Sequence, residues 1–246
     1  MNFIKKLKNH YPKNEDLART ICFKNQIIEV FESFRQSIEI KVEDAKLTIR
    51  CPYRISDLKL QSVLDKKKSW ISKKLKIQLK NRYLLDKRRR KNIYFYLGTK
   101  KKLKLELANS FSISLSKTNI IYKDNSLSDN KIRKNLINWF KLSAYNFLLA
   151  RIKKISSRVE IAFNNAFIKE YKSKWGLCYY EKKNICLNWK LIMAPVSVID
   201  YVIIHELCHL VEPNHSSSFW KEIYKIKKDY KNDILWLKKN GGLLSI

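Results

Sequence analysis

Three of the four histidines in this 246-residue chain fall within eleven residues, at His205, His209 and His215. The first two frame the string His205-Glu206-Leu207-Cys208-His209. Side chains at i and i+4 of a helix stand on one face, one turn apart, so both imidazoles can reach a single cation. The surrounding residues specify such a helix, at about 198–211. Ser197 reads as its N-cap, with Asp200 three residues on in an acidic capping box. Val198, Ile199, Val202, Ile203, Ile204 and Leu207 make the helix apolar nearly all round, and such a helix is buried. Two histidines and a glutamate are costly to bury without partners, and a divalent cation meets that need. For the third ligand, Glu212 lies seven residues after His205, but it precedes Pro213 and is pushed out of the α region. His215, beyond the Pro213-Asn214 turn, can fold back over the ion and is preferred. Three protein ligands leave a fourth position for water, the pattern of catalytic zinc.

Glu206 then has a task. Zinc lowers the pKa of its water toward ~7 and polarises a carbonyl, and Glu206 can take the water's proton and pass it to a leaving amine. An oxyanion donor is also expected; Tyr179, Tyr180, Tyr201 and Tyr224 are near in sequence, and none is singled out. Cys208, turned away from both helical histidines, reads as a buried structural thiol. His10, in a basic N-terminus, reads as a solvated side chain.

The elements around the site follow from periodicity. Residues 26–51 alternate in the strand manner and predict a small antiparallel meander ending at Pro52. Residues 55–82 carry a helical stripe, and Lys87–Lys91 reads as a loop or linker. Strands are expected at 93–97, 100–107, 111–115, 166–171 and 184–188. A long helix, or two shorter ones, is expected over 129–157. Two helices, at about 198–211 and 217–228, close the chain. No internal repeat is evident. The fold class is α+β, an N-terminal antiparallel strand meander with helices before the domain that holds the histidines. The expected division is 1–127, β-rich and basic, and 128–246, catalytic.

Composition narrows the rest. The four glycines, at 98, 176, 241 and 242, cannot form a phosphate-binding glycine loop. The five cysteines are scattered and odd in number, which reads as reduced thiols in a cytoplasmic protein. The N-terminus lacks an apolar stretch of signal-peptide length, and no run of ~18 apolar residues spans a membrane. The formal net charge is +30, from 52 Lys and Arg against 22 Asp and Glu. Over half of it lies in residues 66–104, where 17 basic residues face one acid, Asp86; residues 161–246 carry only +5. That basic stretch, with Trp70 and Tyr83, suits a nucleic acid or other acidic partner. A lysine-rich base composition is the plainer alternative.

Residues 171–238 resemble the YgjP-like metallopeptidase family, a zincin group of metal-dependent hydrolases. The matching pieces are Trp175-Gly176-x-Cys178, Leu187-Asn188-Trp189-x-Leu191-Ile192 and Pro195-x-x-Val198-Ile199-Asp200-Tyr201-Val202, then His205-Glu206-Leu207-x-His209-Leu210 and Asn214-His215-Ser216-x-x-Phe219-Trp220. The resemblance implies a zincin-like, minigluzincin-type domain with an active-site helix. It implies zinc ligands at His205, His209 and His215 and a catalytic Glu206. Leu177 and Lys228 depart from the family pattern, and Glu212 replaces the glycine of metzincins. Trp175, Asn188 and Trp189 read as residues that hold strands against the helix. The leading expectation is a zinc-dependent metallopeptidase that cleaves peptide or protein substrates, bound as an added strand along 184–188. Alternatives are hydrolysis of a nucleotide phosphoanhydride by the same activated water, or a nucleic-acid-associated role for residues 66–104.

Overall fold

The computed structural model describes residues 17–24 and 26–246 of an α+β chain. The chain forms two compact units, dividing after Tyr83. In the first, β1 (Leu17–Phe23), β2 (Gln26–Ser33), β3 (Glu39–Glu43) and β4 (Lys46–Pro52) form a sheet in the order β1-β2-β4-β3. Strand alternation sets its core face: Ile28 and Val30 are buried, while Ile27 between them and the turn is 80% exposed. Helix α1 (Asp57–Lys66) is capped by Ser56, whose side chain accepts from the Lys59 N–H. It places Leu60 and Leu64 on that face, and α2 (Lys68–Arg90) adds Ile71. The expected antiparallel meander is corrected in one respect. Strands β2 and β4 run parallel, with Val30 opposite Ile49, so the chain passes the β4 position to form β3 at the edge and then returns between β2 and β3.

The second unit begins with the same plan. Strands β5 (Ile93–Tyr96), β6 (Thr99–Leu107), β7 (Ser112–Leu115) and β8 (Asn119–Asp124) take the order β5-β6-β8-β7. Again the outer pairs are antiparallel and the middle pair, β6 with β8, is parallel. Leu103 faces Ile120 as Val30 faces Ile49. Both first hairpins turn on a left-handed residue, Lys24 at φ 50° and Leu97 at φ 47°. Both sheets lead into a helix that starts at a Ser-Asp pair, Ser56-Asp57 and Ser128-Asp129. A ββββα unit therefore occurs twice, which corrects the reading that the chain has no repeat. The second copy's helix, α3 (Asp129–Val159), is continuous over 31 residues and buries Ile132, Leu136, Phe140, Ala144, Leu148 and Ile152 along one stripe. Residues 93–124 share one core with the site-bearing elements.

A three-stranded sheet follows, of β9 (Asn165–Lys169), β10 (Gly176–Tyr179) and β11 (Asn184–Asn188), in the order β10-β11-β9. Strand 184–188 was expected to be an edge. It is the central strand, antiparallel to β10 and parallel to β9, and β10 is an edge. A short 3-10 turn, Trp189–Met193, leads into α4 (Val196–Cys208); α5 (Ser217–Ile226) and α6 (Tyr230–Asn240) follow. Helix α6 was not foreseen, because its stripe of apolar residues is diluted by lysine and asparagine. Residues Lys87–Arg90 are not a loop. They form the last turn of α2, where cations suit the helix dipole. The Arg88 guanidinium covers the Phe95 ring at 5.2 Å and donates to Leu243 O at 2.9 Å. Among the described residues no helix is long and apolar enough to cross a membrane.

Two contacts generate tests. The β5–β6 turn seats on the lead-in to α4: the Leu97 N–H donates to Ile192 O at 2.7 Å and the Gly98 N–H to Met193 O at 3.3 Å. Gly98 has φ 78°, and a Cβ there would lie 2.8 Å from Pro195 Cα. Gly98→Ala should cost about 1–3 kcal/mol, read as a lower urea midpoint. Elsewhere, Asp124 is buried, accepting from the Tyr122 hydroxyl at 2.8 Å and Lys131 Nζ at 2.9 Å. The Lys131 hydrogen bond holds its carboxyl below the usual carboxylate range. Its stabilising contribution is therefore present above the unfolded value of about 3.9 and is lost as pH falls through the folded value. Asp124→Asn should lower the melting temperature at pH 7, and the gap to the parent should narrow below about pH 4.

Candidate metal centre

The candidate site forms where α4 ends. The helix N-cap is Pro195, not Ser197, which is exposed on the first turn. Asp200 is not a capping residue either. It accepts a two-pronged pair from Arg151 of α3, Nε to Oδ1 and Nη2 to Oδ2, both 2.6 Å. This fork–fork geometry ties the first turn of α4 to the long helix. Nine of the thirteen α4 residues are buried, including Glu206 and Cys208. Burial raises the Cys208 thiol to about 12, as expected of a packed, unreactive sulfur.

His205 and Glu206 lie in the final turn of α4, and His209 is its C-cap. The helix ends at Cys208, earlier than the expected Val211, and the chain turns through Leu210 and Val211. That turn brings His215 back. Its Nε2 lies 3.1 Å from His205 Nε2, and the ligand atoms of all three histidines lie within 4.8 Å of one another. Nitrogens ~2.05 Å from one tetrahedral ion stand about 3.4 Å apart; the His205–His215 pair lies near that spacing, and the cluster as a whole is wider. His209 Nδ1 donates to Glu212 O at 3.3 Å. A carbonyl only accepts, so the proton is on Nδ1 and the lone pair of Nε2 is free for a metal. Glu212 thus offers its main chain to a histidine, and the clustered groups are the three imidazoles. Burial, with His209 and His215 adding to it, lowers His205 to about 3, so its ring is neutral.

Aromatic rings fix the imidazoles. Phe219 of α5 is fully buried and stacks on His209 at 4.5 Å; Trp220 stacks on His215 at 5.8 Å. Tyr230 stacks on both Trp220 and Tyr201. Ser216, next to His215, caps α5 by accepting from the Phe219 N–H at 3.2 Å. The helix start and the third imidazole are thus set together. Of the four candidate tyrosines, Tyr201 is buried and its hydroxyl is 3.5 Å from His205 Nδ1. Tyr179, Tyr180 and Tyr224 are exposed.

Glu206 is 6% exposed and faces β10. Burial raises its carboxyl to about 8, against the pull of Lys174 and the Cys178 main chain. The approach is so close that a Cβ at Gly176 would stand 2.4 Å from Glu206 Oε1. Glycine at a strand position often marks such an approach, and the sequence around 176–179 lacks the alternation that would identify it as a strand. A cleft of about 250 Å3 opens here, lined by Lys174, Trp175, Gly176, Tyr201, Val202 and Leu237 with His205 and Glu206. Asn188 donates to Tyr171 O at 2.9 Å and Lys174 O at 2.8 Å, holding the 171–174 segment before β10. Trp189 is buried beneath the cations of Lys141 and Lys190. Trp175 packs against Gly241. Asn188 and Trp189 serve the framework, Trp175 also lines the cleft, and His10 lies outside the described residues.

The sequence profile of the YgjP-like metallopeptidase domain matches residues 36–240. The chain belongs to this family of metallopeptidases and is accordingly a metal-dependent hydrolytic enzyme that acts on peptides or proteins. No curated protein matches it in sequence. Two solved structures resemble part of it, both metallopeptidase zymogens. Abylysin of Pyrococcus abyssi is 21% identical over 37% of this chain and 93% of its own, with a TM-score of 0.34. Jannalysin of Methanocaldococcus jannaschii is 20% identical over 38% and 95%, also at 0.34.

Gly176→Ala should leave the protein folded but push the Glu206 carboxyl aside. With a misplacement of this order, hydrolysis of a peptide substrate should fall about 10²-fold, with circular dichroism unchanged.

Proposed function

We propose that the chain is a zinc-dependent peptidase with a zincin-like catalytic domain, α4 being its active-site helix. His205, His209 and His215 hold the ion, and Glu206 is the acid–base group. The observation that carries this reading is the convergence of three imidazoles within 4.8 Å, beside a carboxyl that is almost wholly buried. Imidazole nitrogens suit a borderline-soft dication, and three of them leave one position open. Zinc bound there would polarise a scissile carbonyl and acidify an attacking water.

Glu206 takes the proton of that water and delivers it to the departing amine. Its Oε atoms are held against Gly176, so the carboxyl has little freedom to turn away. The peptide lies along the free edge of β10, adding its main chain to the sheet. Strand β10 is the edge suited to this, since Gly176 borders both that edge and the carboxyl. The apolar side of the cleft, formed by Trp175, Val202 and Leu237, accepts a neighbouring substrate side chain.

Metal analysis of protein purified without added zinc should find about one ion per chain. Glu206→Gln should keep that ion and lose 10²- to 10⁴-fold in peptide hydrolysis. His215→Ala should lose the ion. Full hydrolysis by metal-free protein, or by the Glu206→Gln variant, would sink the proposal.

A further inference from the structure

The charge surplus has a structural focus that the peptidase reading does not use. On β6, Lys100, Lys102 and Lys104 are exposed on one face of the strand, while Lys101 is buried on the other. Lysines two residues apart on a strand are about 6.7 Å apart. Lys102 stands opposite Ile93 of β5 and Asn119 of β8. A cleft of about 520 Å3 lies over this end of the sheet, lined by Lys91, Ile93, Lys100, Lys102 and Thr118. None of these lysines has an acidic partner among the described residues.

The cleft is built, not incidental. Lys101 Nζ donates to Ser116 O at 3.2 Å and Lys117 O at 2.6 Å, and the Lys102 N–H donates to Thr118 O at 3.0 Å. Ser116 closes the turn from the other side, accepting the Asn119 N–H on its hydroxyl at 3.0 Å. The turn that carries Thr118 is thus pinned beside the lysine row by groups of β6 itself. One lysine is spent as an internal strut, and its neighbours on either side face outward without counter-charge.

We infer that this cleft binds the phosphodiester backbone of a nucleic acid. Three ammonium groups around a concave surface suit a thin chain of phosphates, which can enter it. A bilayer is a flat surface and meets protruding side chains instead. Ammonium groups on a backbone contact phosphates, which carry no sequence information, so the contact is indifferent to sequence. The site lies on β5–β6–β8 rather than along α2, which carries the exposed Trp70 and Tyr83.

The test uses the full chain and a fluorescein-labelled 20-mer of deoxythymidine, followed by anisotropy between 50 and 200 mM salt. Three phosphate contacts to a single strand give a log–log salt slope of about −2.1, or roughly 18-fold weaker binding across that range. Lys100→Glu with Lys102→Glu should weaken binding at least tenfold and reduce the slope by about 1.4. The control is Lys221→Glu with Lys231→Glu, which removes the same charge elsewhere. Thermal melting confirms that each variant is folded. Binding confined to the parent and the control supports the inference. Equal loss in both double variants would reduce the effect to overall charge and overturn it. So would binding to phosphatidylserine vesicles with none to the oligonucleotide. If both double variants unfold, the single Lys100→Gln and Lys102→Gln variants decide, each expected to lower the slope by about 0.7.

Discussion

A carboxyl group that must sit dry beside three imidazoles is the constraint on which the rest of this molecule depends. Glu206 lies on a helix that buries eight of its other twelve residues. Such a group is tolerated only with partners and a fixed place. The chain supplies the place from several directions. Strand β10 comes so close that any side chain at 176 would displace the carboxyl. Asn188 ties down the segment before that strand. Arg151 grips the other end of the helix through Asp200. Remove the need to hold Glu206 and little reason remains for these contacts to meet at one helix.

The duplicated ββββα plan shows how the surroundings were assembled. In the second copy, α3 carries a fully apolar stripe and serves two neighbours, the sheet β5–β8 and the site-bearing elements. In the first copy the helix breaks at Lys67, and past Ile71 it presents lysine at position after position. The two copies share order, register and helix start, yet one is committed to a large core and the other closes a small core of its own. Topology was kept while side-chain chemistry diverged.

The sequence was most legible where one chemistry repeats at a fixed interval. The i, i+4 histidines, the apolar body of α4 and the preference for His215 over Glu212 follow from spacing and from Pro213, and the folded chain brings those three rings together. The family resemblance was legible for the same reason, since its motifs lie in the last third. Long-range pairing was not legible. Alternation identifies β2 and β4 as strands but says nothing of their parallel pairing, which the crossover sets. Likewise 184–188 reads as a strand, and only the pairing of Gly176–Tyr179 makes it central. The repeat was hidden because it survives as pattern. Ile55–Leu64 and Leu127–Leu136 share Ser, Asp, Lys and Leu at matching places, too little to see without the two sheets. The helix cap at Pro195 went unread because the docked β5–β6 turn, not a capping side chain, sets where α4 begins.

That docking carries a lesson about tolerance to drift. The β5–β6 turn is joined to the residues before α4 by N–H groups of Leu97 and Gly98 meeting carbonyls of Ile192 and Met193. Every amino acid except proline brings the same donor, and every one brings the same carbonyl. The hydrogen bonds that seat α4 are therefore main-chain bonds that most side chains at 97, 192 and 193 would leave in place, while the left-handed turn at Leu97 and the burial of Ile192 and Met193 limit which side chains fit there. Substitutions that keep this junction apolar and its turn left-handed can accumulate over many generations while the helix keeps its place, and distant members of such a family can share the geometry with little left of the sequence.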